Sequence, residues 1–140
     1  MTIHVVNGPN INMLGKREAD LYGTFTLAAL ETNLKQIAAE KASLHFFQSN
    51  HEGALVDYVQ KIPTTDRLIL NAASLTHTSI GLRDALLAAQ TQFVEVHISN
   101  VFKRETFRHH SYLSDIAAGV IAGLGQDSYI CALQYFLNQR

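Results

Sequence analysis

Two residues that could transfer a proton stand two positions apart in the sequence, namely Glu95 and His97. The apolar residues around them predict a strand, and side chains two apart on a strand point to the same side. A carboxylate beside an imidazole fixes the tautomer of the ring and favours its protonated form. A histidine held in that form near neutral pH can act as a general acid. The apolar neighbours favour a buried strand end, and the alternative is a solvated pair on an edge strand.

A tyrosine and three arginines could provide the matching base. Arg17, Arg104 and Arg108 all fall in predicted loops, and Tyr22 follows Arg17 by five residues. A phenol ionises near pH 10 in water, so a tyrosine base at about pH 7 needs roughly 4 kcal/mol of preferential phenolate stabilisation. One or two guanidinium groups in a partly desolvated site can supply it. The sequence permits this arrangement but does not require it, because arginine is also common on protein surfaces.

Other site chemistries lack their sequence signals. The seven His and one Cys show no helical i, i+4 pair of the kind that binds a metal. Gly123-Leu124-Gly125 lacks the third glycine of a dinucleotide-binding motif, because Ser128 stands in its place. No Gly-x-Ser-x-Gly segment is present to form a nucleophile elbow. We therefore expect no metal and no dinucleotide.

Length and charge set the general class of the protein. The chain has 140 residues, 47% of them hydrophobic, and a net charge of -1. These values predict one globular domain over residues 1–140. A nucleic-acid partner is not expected, since such proteins carry clustered basic residues. The lone Cys131, the absence of a signal-peptide pattern and the lack of a membrane-length apolar stretch favour a cytoplasmic protein without a membrane partner.

The elements that must hold these side chains alternate along the chain. Hydrophobic patterns predict strands at 3–6, 44–48, 68–70 and 93–97, and helices at 27–38, 54–61, 80–89 and 129–137. Residues 116–124 fit either a strand or a helix. With a strand there, the order is typical of an α/β fold with a doubly wound parallel sheet of five strands.

In such a sheet the ligand site lies beyond the carboxyl ends of the strands. Side chains that can hydrogen-bond or transfer protons follow four of the predicted strands, in residues 7–10, 49–52, 71 onwards and 97–100. A connection that serves topology alone has no need of so much Asn and His. These segments are therefore the predicted functional loops.

Six segments of the chain, spread almost from end to end, resemble the type II 3-dehydroquinate dehydratase family. They are 7–15, Arg17-Glu18 with Tyr22-Gly23, 48–53, 76–79 with 82–85, 95–100 and 107–112. The resemblance implies a flavodoxin-like sheet with strand order 2-1-3-4-5. It implies a lyase that dehydrates 3-dehydroquinate to 3-dehydroshikimate by anti elimination through an enolate, in aromatic amino acid biosynthesis or quinate catabolism. It also implies no cofactor, no metal, and a homododecamer of four trimers.

The same resemblance implies a role for each candidate site residue. Tyr22 matches the base, Arg17 the group that stabilises it, His97 the acid, Glu95 its orienting carboxylate, and Asn10 a residue that holds a water at the enolate oxygen. Contacts to substrate are implied for Asn71, His77, Ile98 and Ser99 (through their N–H groups), Arg108, and Asp84 of a trimer neighbour. Arg104 is expected to add positive charge.

Residues 16–23 form a segment too long for a tight connection, so we predict a lid that closes over substrate. The chain departs from the family pattern at Ala19, where proline is frequent, and at 71–75, where Asn-Ala-Ala-Ser-Leu replaces a segment such as Asn-Pro-Gly-Ala. Two other functions remain open from the residues. One is a different small hydroxy-acid dehydratase on the same scaffold, and the other is a non-enzymatic module that binds a carboxylate or a nucleotide.

Overall fold

Five parallel strands form one sheet in the computed structural model, which describes residues 1–139. They are β1 (Thr2–Asn7), β2 (Ser43–Gln48), β3 (Arg67–Asn71), β4 (Gln92–His97) and β5 (Gly119–Ala122). Their order across the sheet is β2-β1-β3-β4-β5, with every neighbouring pair parallel. The predicted flavodoxin-like strand order is confirmed.

Within residues 1–139, four helices lie in the connections between strands and a fifth follows β5. They are α1 (Ala19–Tyr22), α2 (Leu27–Ala38), α3 (Glu52–Gln60), α4 (Ile80–Ala89) and α5 (Asp127–Leu137). The bounds of α2 and α4 are those predicted, and the Thr26 hydroxyl caps α2 by accepting the N–H of Ala29. The helices α3 and α5 each begin two residues earlier than predicted. None of the helices within residues 1–139 is long and apolar enough to cross a membrane.

The sheet separates two apolar cores, as a doubly wound fold requires. Alternate β1 residues face opposite sides, so Ile3 and Val5 belong to one core and Val6 to the other. The first core includes Leu30 and Leu34 of α2 and Leu133 and Phe136 of α5. The second includes Leu55 and Val59 of α3 and Leu82 and Leu86 of α4. Each fully buried side chain of this size stabilises the fold by about 1.5–3 kcal/mol. The two cores therefore hold in position the strand ends that carry the site.

Three segments differ from simple expectations. Residues 116–124 contain the strand β5, preceded by a 3-10 turn at Ser114–Ile116, so the helix alternative is wrong. The connection from residue 8 to Gly23, for which the sequence predicts neither a strand nor a helix, contains a 3-10 turn at Ile11–Met13 and the short helix α1. It folds locally because Ile11, Leu14 and Tyr22 are buried against the first core. The loop 99–112 likewise contains 3-10 turns at Val101–Lys103 and Thr106–Arg108.

The strand order reverses between β1 and β3. Their last residues, Asn7 and Asn71, are register partners, and the N–H of Gly8 donates to the Asn71 carbonyl at 2.8 Å. A Cβ atom at Gly8 would lie 2.4 Å from the carbonyl oxygen of Ala72, so only glycine allows this approach. The two connections leave the sheet in opposite directions from here, which creates the crevice that contains the candidate site.

Candidate active site

A pocket opens beyond the carboxyl ends of β1, β3 and β4. Nine residues predicted from the sequence line it, namely Asn10, Arg17, Tyr22, Asn71, His77, His97, Ile98, Ser99 and Arg108. Arg104 lines it as well. The structure therefore brings together the three arginines that the sequence distributes over distant loops. Two predicted residues are not in the lining, because Glu95 lies behind His97 and Asp84 lies elsewhere on the surface.

Tyr22 faces two guanidinium groups. The Cζ atom of Arg17 lies 4.1 Å from the centroid of the tyrosine ring, and that of Arg104 lies 5.3 Å from it. Tyr22 is only 8% exposed, so water screens these interactions weakly. Arg104 is held in place by donating from Nη1 to the Ser99 hydroxyl at 3.1 Å. Two positive charges therefore lie beside the ring of Tyr22 within the pocket.

His97 and Glu95 form a buried pair. The Nε2 atom of His97 lies 2.6 Å from Oε2 of Glu95, and both side chains are buried. Because an ionised carboxylate only accepts hydrogen bonds, Nε2 carries the hydrogen and donates it. The two side chains share one side of β4, as the sequence predicts. Their burial excludes the alternative of a solvated edge-strand pair.

Two serines complete the surroundings of Glu95. The hydroxyls of Ser114 and Ser111 donate to its Oε1 atom at 2.8 and 3.0 Å. Burial raises the pKa of Glu95, but hydrogen bonds from His97, Ser114 and Ser111 outweigh it and hold the pKa below its ordinary value. Glu95 is therefore ionised at neutral pH. Ser111 stands in a segment that carries the family resemblance, without an expected role, and Ser114 has no sequence signal at all.

His77 is held as a neutral ring. Its Nδ1 atom lies 2.7 Å from the carbonyl oxygen of His110, which cannot donate, so Nδ1 carries the hydrogen. Burial lowers the pKa of His77 below its ordinary value, and the nearby charges of His97 and Arg108 lower it further against the opposing effect of the His110 carbonyl. The ring stacks near that of His97, with centroids 6.3 Å apart.

Asn71 is fixed by a buried network at the end of β3. Its Nδ2 atom donates to the Tyr129 hydroxyl at 2.7 Å, and that hydroxyl donates to Oδ1 of Asn7. Burial raises the pKa of Tyr129, so the hydroxyl keeps its hydrogen. The Oδ1 atom of Asn71 accepts the N–H of Ala73, whose φ of 54° is left-handed. This is where the chain departs from the family pattern, and the side chain of Asn71 holds the turn.

Asn10 also has a left-handed backbone, with φ of 71°. Its N–H donates to Oδ1 of Asn50 at 2.9 Å, and Gln48 donates to the same oxygen at 3.2 Å. The carboxyl end of β2 therefore positions the loop that follows β1. Gln48 and Asn50 belong to a segment that carries the family resemblance, but the sequence alone gives no indication of this role.

Arg108 and Asp84 occupy different surroundings. Arg108 lines the pocket and donates from Nε to Glu105 at 3.2 Å. Asp84 is exposed on α4, outside the lining of the pocket in its own chain. Within residues 1–139, no three His, Cys, Asp or Glu side chains are grouped closely enough to hold a metal ion.

The fold and the pocket define a doubly wound α/β protein with groups for acid–base chemistry at the crevice between β1 and β3. The model of the family described as Dehydroquinase class II matches residues 1–137. The chain belongs to that family, and the expectation from the six sequence segments is confirmed.

Individual relatives agree with this assignment. The chain is 56% identical over 137 residues to the 3-dehydroquinate dehydratase of Bordetella avium (strain 197N), covering 96% of this chain and 95% of the relative. It is 51% identical over 140 residues to the catabolic 3-dehydroquinase 2 of Neosartorya fischeri, covering 99% and 93%. The crystal structure of type II dehydroquinase from Butyrivibrio crossotus DSM 2876 is similar with a TM-score of 0.93 at 39% identity, covering 99% of this chain and 98% of that one.

Proposed function

We propose that this enzyme catalyses the dehydration of 3-dehydroquinate to 3-dehydroshikimate, in aromatic amino acid biosynthesis or in quinate catabolism. The family and the names of its relatives support this reaction. One observation carries the proposal beyond the family: Tyr22 with its two arginines and the buried His97–Glu95 pair meet at one pocket. An elimination of water needs a base and an acid, and these groups supply both.

The first step is the removal of a proton by Tyr22. As a phenolate, Tyr22 takes the proton from the carbon next to the ketone, and the electron pair moves onto the ketone oxygen to form an enolate. Arg17 and Arg104 stabilise the phenolate. Asn10 holds a water at the enolate oxygen, so that a hydrogen-bond donor is in place where charge develops.

The second step is the loss of the hydroxyl at C1. The enolate returns its electron pair to re-form the ketone, the double bond forms, and the C1 hydroxyl leaves with a proton from His97. Glu95 compensates the charge of the imidazolium before the transfer. The hydroxyl leaves on the face opposite the removed proton, and the net loss is one water.

The remaining lining residues bind the substrate. We assign its hydroxyls and carboxylate to Asn71, His77, Arg108 and the N–H groups of Ile98 and Ser99. Asn71 and His77 are already oriented by contacts away from the pocket. The Nε atom of Arg108 donates to Glu105, so its terminal amino groups bind the substrate. Three arginines around one small pocket also attract an anionic substrate, although the whole chain has a net charge of only -1.

Residues 16–23 act as a lid in this proposal. The segment contributes Arg17 and Tyr22 to the pocket lining and folds partly as α1. Closure over the substrate excludes water and brings the base to its working position.

We further propose a homododecamer of four trimers in which Asp84 contacts the substrate of a neighbouring subunit. The exposed position of Asp84 outside its own pocket supports this arrangement. So do the exposed side chains of Phe102, Phe107 and Val120, which are 64%, 67% and 47% exposed in the single chain. We expect the enzyme to work in the cytoplasm with no metal or cofactor.

Purified enzyme given 3-dehydroquinate tests the reaction directly. We expect absorbance of the enone of dehydroshikimate to appear at the same rate with and without a chelator. Folded protein that produces no enone would exclude the proposed reaction, and loss of activity in the chelator would indicate a metal enzyme.

A further inference from the structure

We propose that Ser114, together with Ser111, is a positioning residue that keeps Glu95 ionised and so sustains His97 as the proton donor. Only the role of His97 as the proton donor rests on the proposed function, because the ionisation of Glu95 can be measured without turnover. Neither serine lines the pocket around Tyr22, so neither is expected to touch the substrate.

The need for the serines follows from the burial of Glu95. An ionised carboxylate that leaves water loses several hydrogen bonds, and it stays charged only when donors replace them. His97 donates a hydrogen bond to Oε2 of Glu95, and the two serine hydroxyls donate to Oε1. Hydrogen bonds to the charged form of an acid favour that form. The serine hydroxyls therefore offset the desolvation of the carboxylate.

The two serines differ in what else they hold. The Ser111 oxygen also accepts the N–H groups of Leu113 and Ser114, so this residue shapes the turn that precedes β5. Within residues 1–139, the Ser114 hydroxyl makes one hydrogen bond, which it donates to Glu95. Removal of the Ser114 hydroxyl therefore changes the surroundings of Glu95 with little effect on the backbone.

Other charged or titratable groups near the pair come from several elements. His77 stacks on the ring of His97 and is neutral, and Arg108 approaches from the 3-10 turn at Thr106–Arg108. The pair, His77 and Arg108 also line an adjoining cavity, and the further charged or titratable groups in its lining are Arg83, His109, His110, Tyr112 and Asp115. Arg83 and Asp115 form a salt bridge with each other. Within the described residues, the Oε1 atom of Glu95 accepts hydrogen bonds from Ser111 and Ser114, and none of these other groups donates to it.

Infrared difference spectroscopy against pH follows the carbonyl band of protonated Glu95, identified by its loss in Glu95→Gln. We expect Ser114→Ala to raise the pKa of Glu95 by about one unit and to move the acid limb of the kcat–pH profile to higher pH by the same amount, with kcat at neutral pH and KM nearly unchanged. Ser114→Thr keeps a hydroxyl and should restore both values. The exposed Ser43→Ala is a matched control and should change neither.

An unchanged Glu95 midpoint in Ser114→Ala would overturn the inference, as would a failure of Ser114→Thr to restore it. If Ser114→Ala does not fold, Ser114→Val compared with Ser114→Thr gives the same contrast at nearly constant side-chain shape. A shifted midpoint in an enzyme that lacks dehydratase activity would support the role of Ser114 at Glu95 and contradict the proposed function. The two failures are thus distinguishable.

Discussion

The guanidinium carbon of Arg17 lies 4.1 Å from the centroid of the Tyr22 ring, in a part of the pocket where that ring is 8% exposed. A cation in this position attracts a phenolate far more strongly than a neutral phenol, because the full charge of the oxygen adds to the attraction of the ring. The relationship makes the proposed base dependent on an arginine five residues earlier in the chain.

Arg17→Gln should lower kcat by about 100-fold, because the proposed base loses the cation nearest its ring. Steady-state kinetics with 3-dehydroquinate measure the effect. Lys16→Gln removes a neighbouring positive charge that is exposed, and it should leave kcat as in the wild type. A kcat of Arg17→Gln equal to that of Lys16→Gln would show that Arg17 does not support the base.

His97→Ala should lower kcat by about 10²- to 10⁴-fold, which is the usual contribution of a general acid. The effect on KM should be small, since the proton transfer stabilises the transition state more than the bound substrate. Steady-state kinetics with 3-dehydroquinate separate the two constants. A change confined to KM would assign His97 to substrate binding instead.

Ala73→Gly should stabilise the fold by about 1 kcal/mol. Ala73 has a φ of 54°, a left-handed conformation that costs a residue with a Cβ atom roughly 1–2 kcal/mol. Glycine adopts it without this cost. Chemical denaturation measures the difference. The control is Ala88→Gly in α4, which should destabilise the fold by about 0.5–1 kcal/mol; equal effects of both substitutions would rule out strain at Ala73.

His77 should make the fold less stable in mild acid. Burial holds its pKa below the ordinary value of 6.5, so the unfolded chain binds the proton more readily than the folded one. Above about pH 6.5, His77 therefore does not lower the free energy of unfolding. As the pH falls from there toward the pKa of His77 in the folded protein, the free energy of unfolding decreases. Denaturation at pH 7 and pH 5 should show that the free energy of unfolding decreases less for His77→Gln than for the wild type. The exposed His51→Gln should behave as the wild type does, and an equal loss in all three proteins would exclude this role for His77.

Asp84 can be tested by complementation between subunits. Asp84→Ala and Tyr22→Phe should each be nearly inactive alone. Co-expressed in one assembly, they should recover part of the activity, because some pockets then combine Tyr22 of one chain with Asp84 of another. No recovery in mixed assemblies verified by mass spectrometry would show that Asp84 does not act across subunits.

Much of the fold follows from local sequence patterns. The helix α4 has clear apolar spacing, with Leu82, Ala85 and Leu86 inward, and its predicted bounds are those observed. Residues 116–124 are a short apolar run with glycine, which fits either a strand or a helix until pairing with β4 decides. The helix α1 has too few residues for a periodic signal, and it forms because Tyr22 is buried.

The site was predictable where chemistry depends on residue type and strand ends. Glu95 and His97 share a strand, so their contact follows from spacing alone. The convergence of Arg17, Arg104 and Arg108 required the resemblance to a family or the structure, because loop residues have no periodicity. Ser114 could not be found from sequence, since it acts through a single hydrogen bond to a residue 19 positions away. Asn50 falls in the predicted functional segment 49–52, but its hydrogen bonds with Asn10 and Gln48 could not be predicted from the sequence.

The most direct test of the account is Tyr22→Phe, measured by enone formation and by calorimetric binding of 3-dehydroquinate. This substitution removes only the phenol oxygen and keeps the ring beneath Arg17. We expect turnover to be abolished while substrate binding remains measurable. A kcat close to that of the wild type would contradict the central claim that Tyr22 is the base.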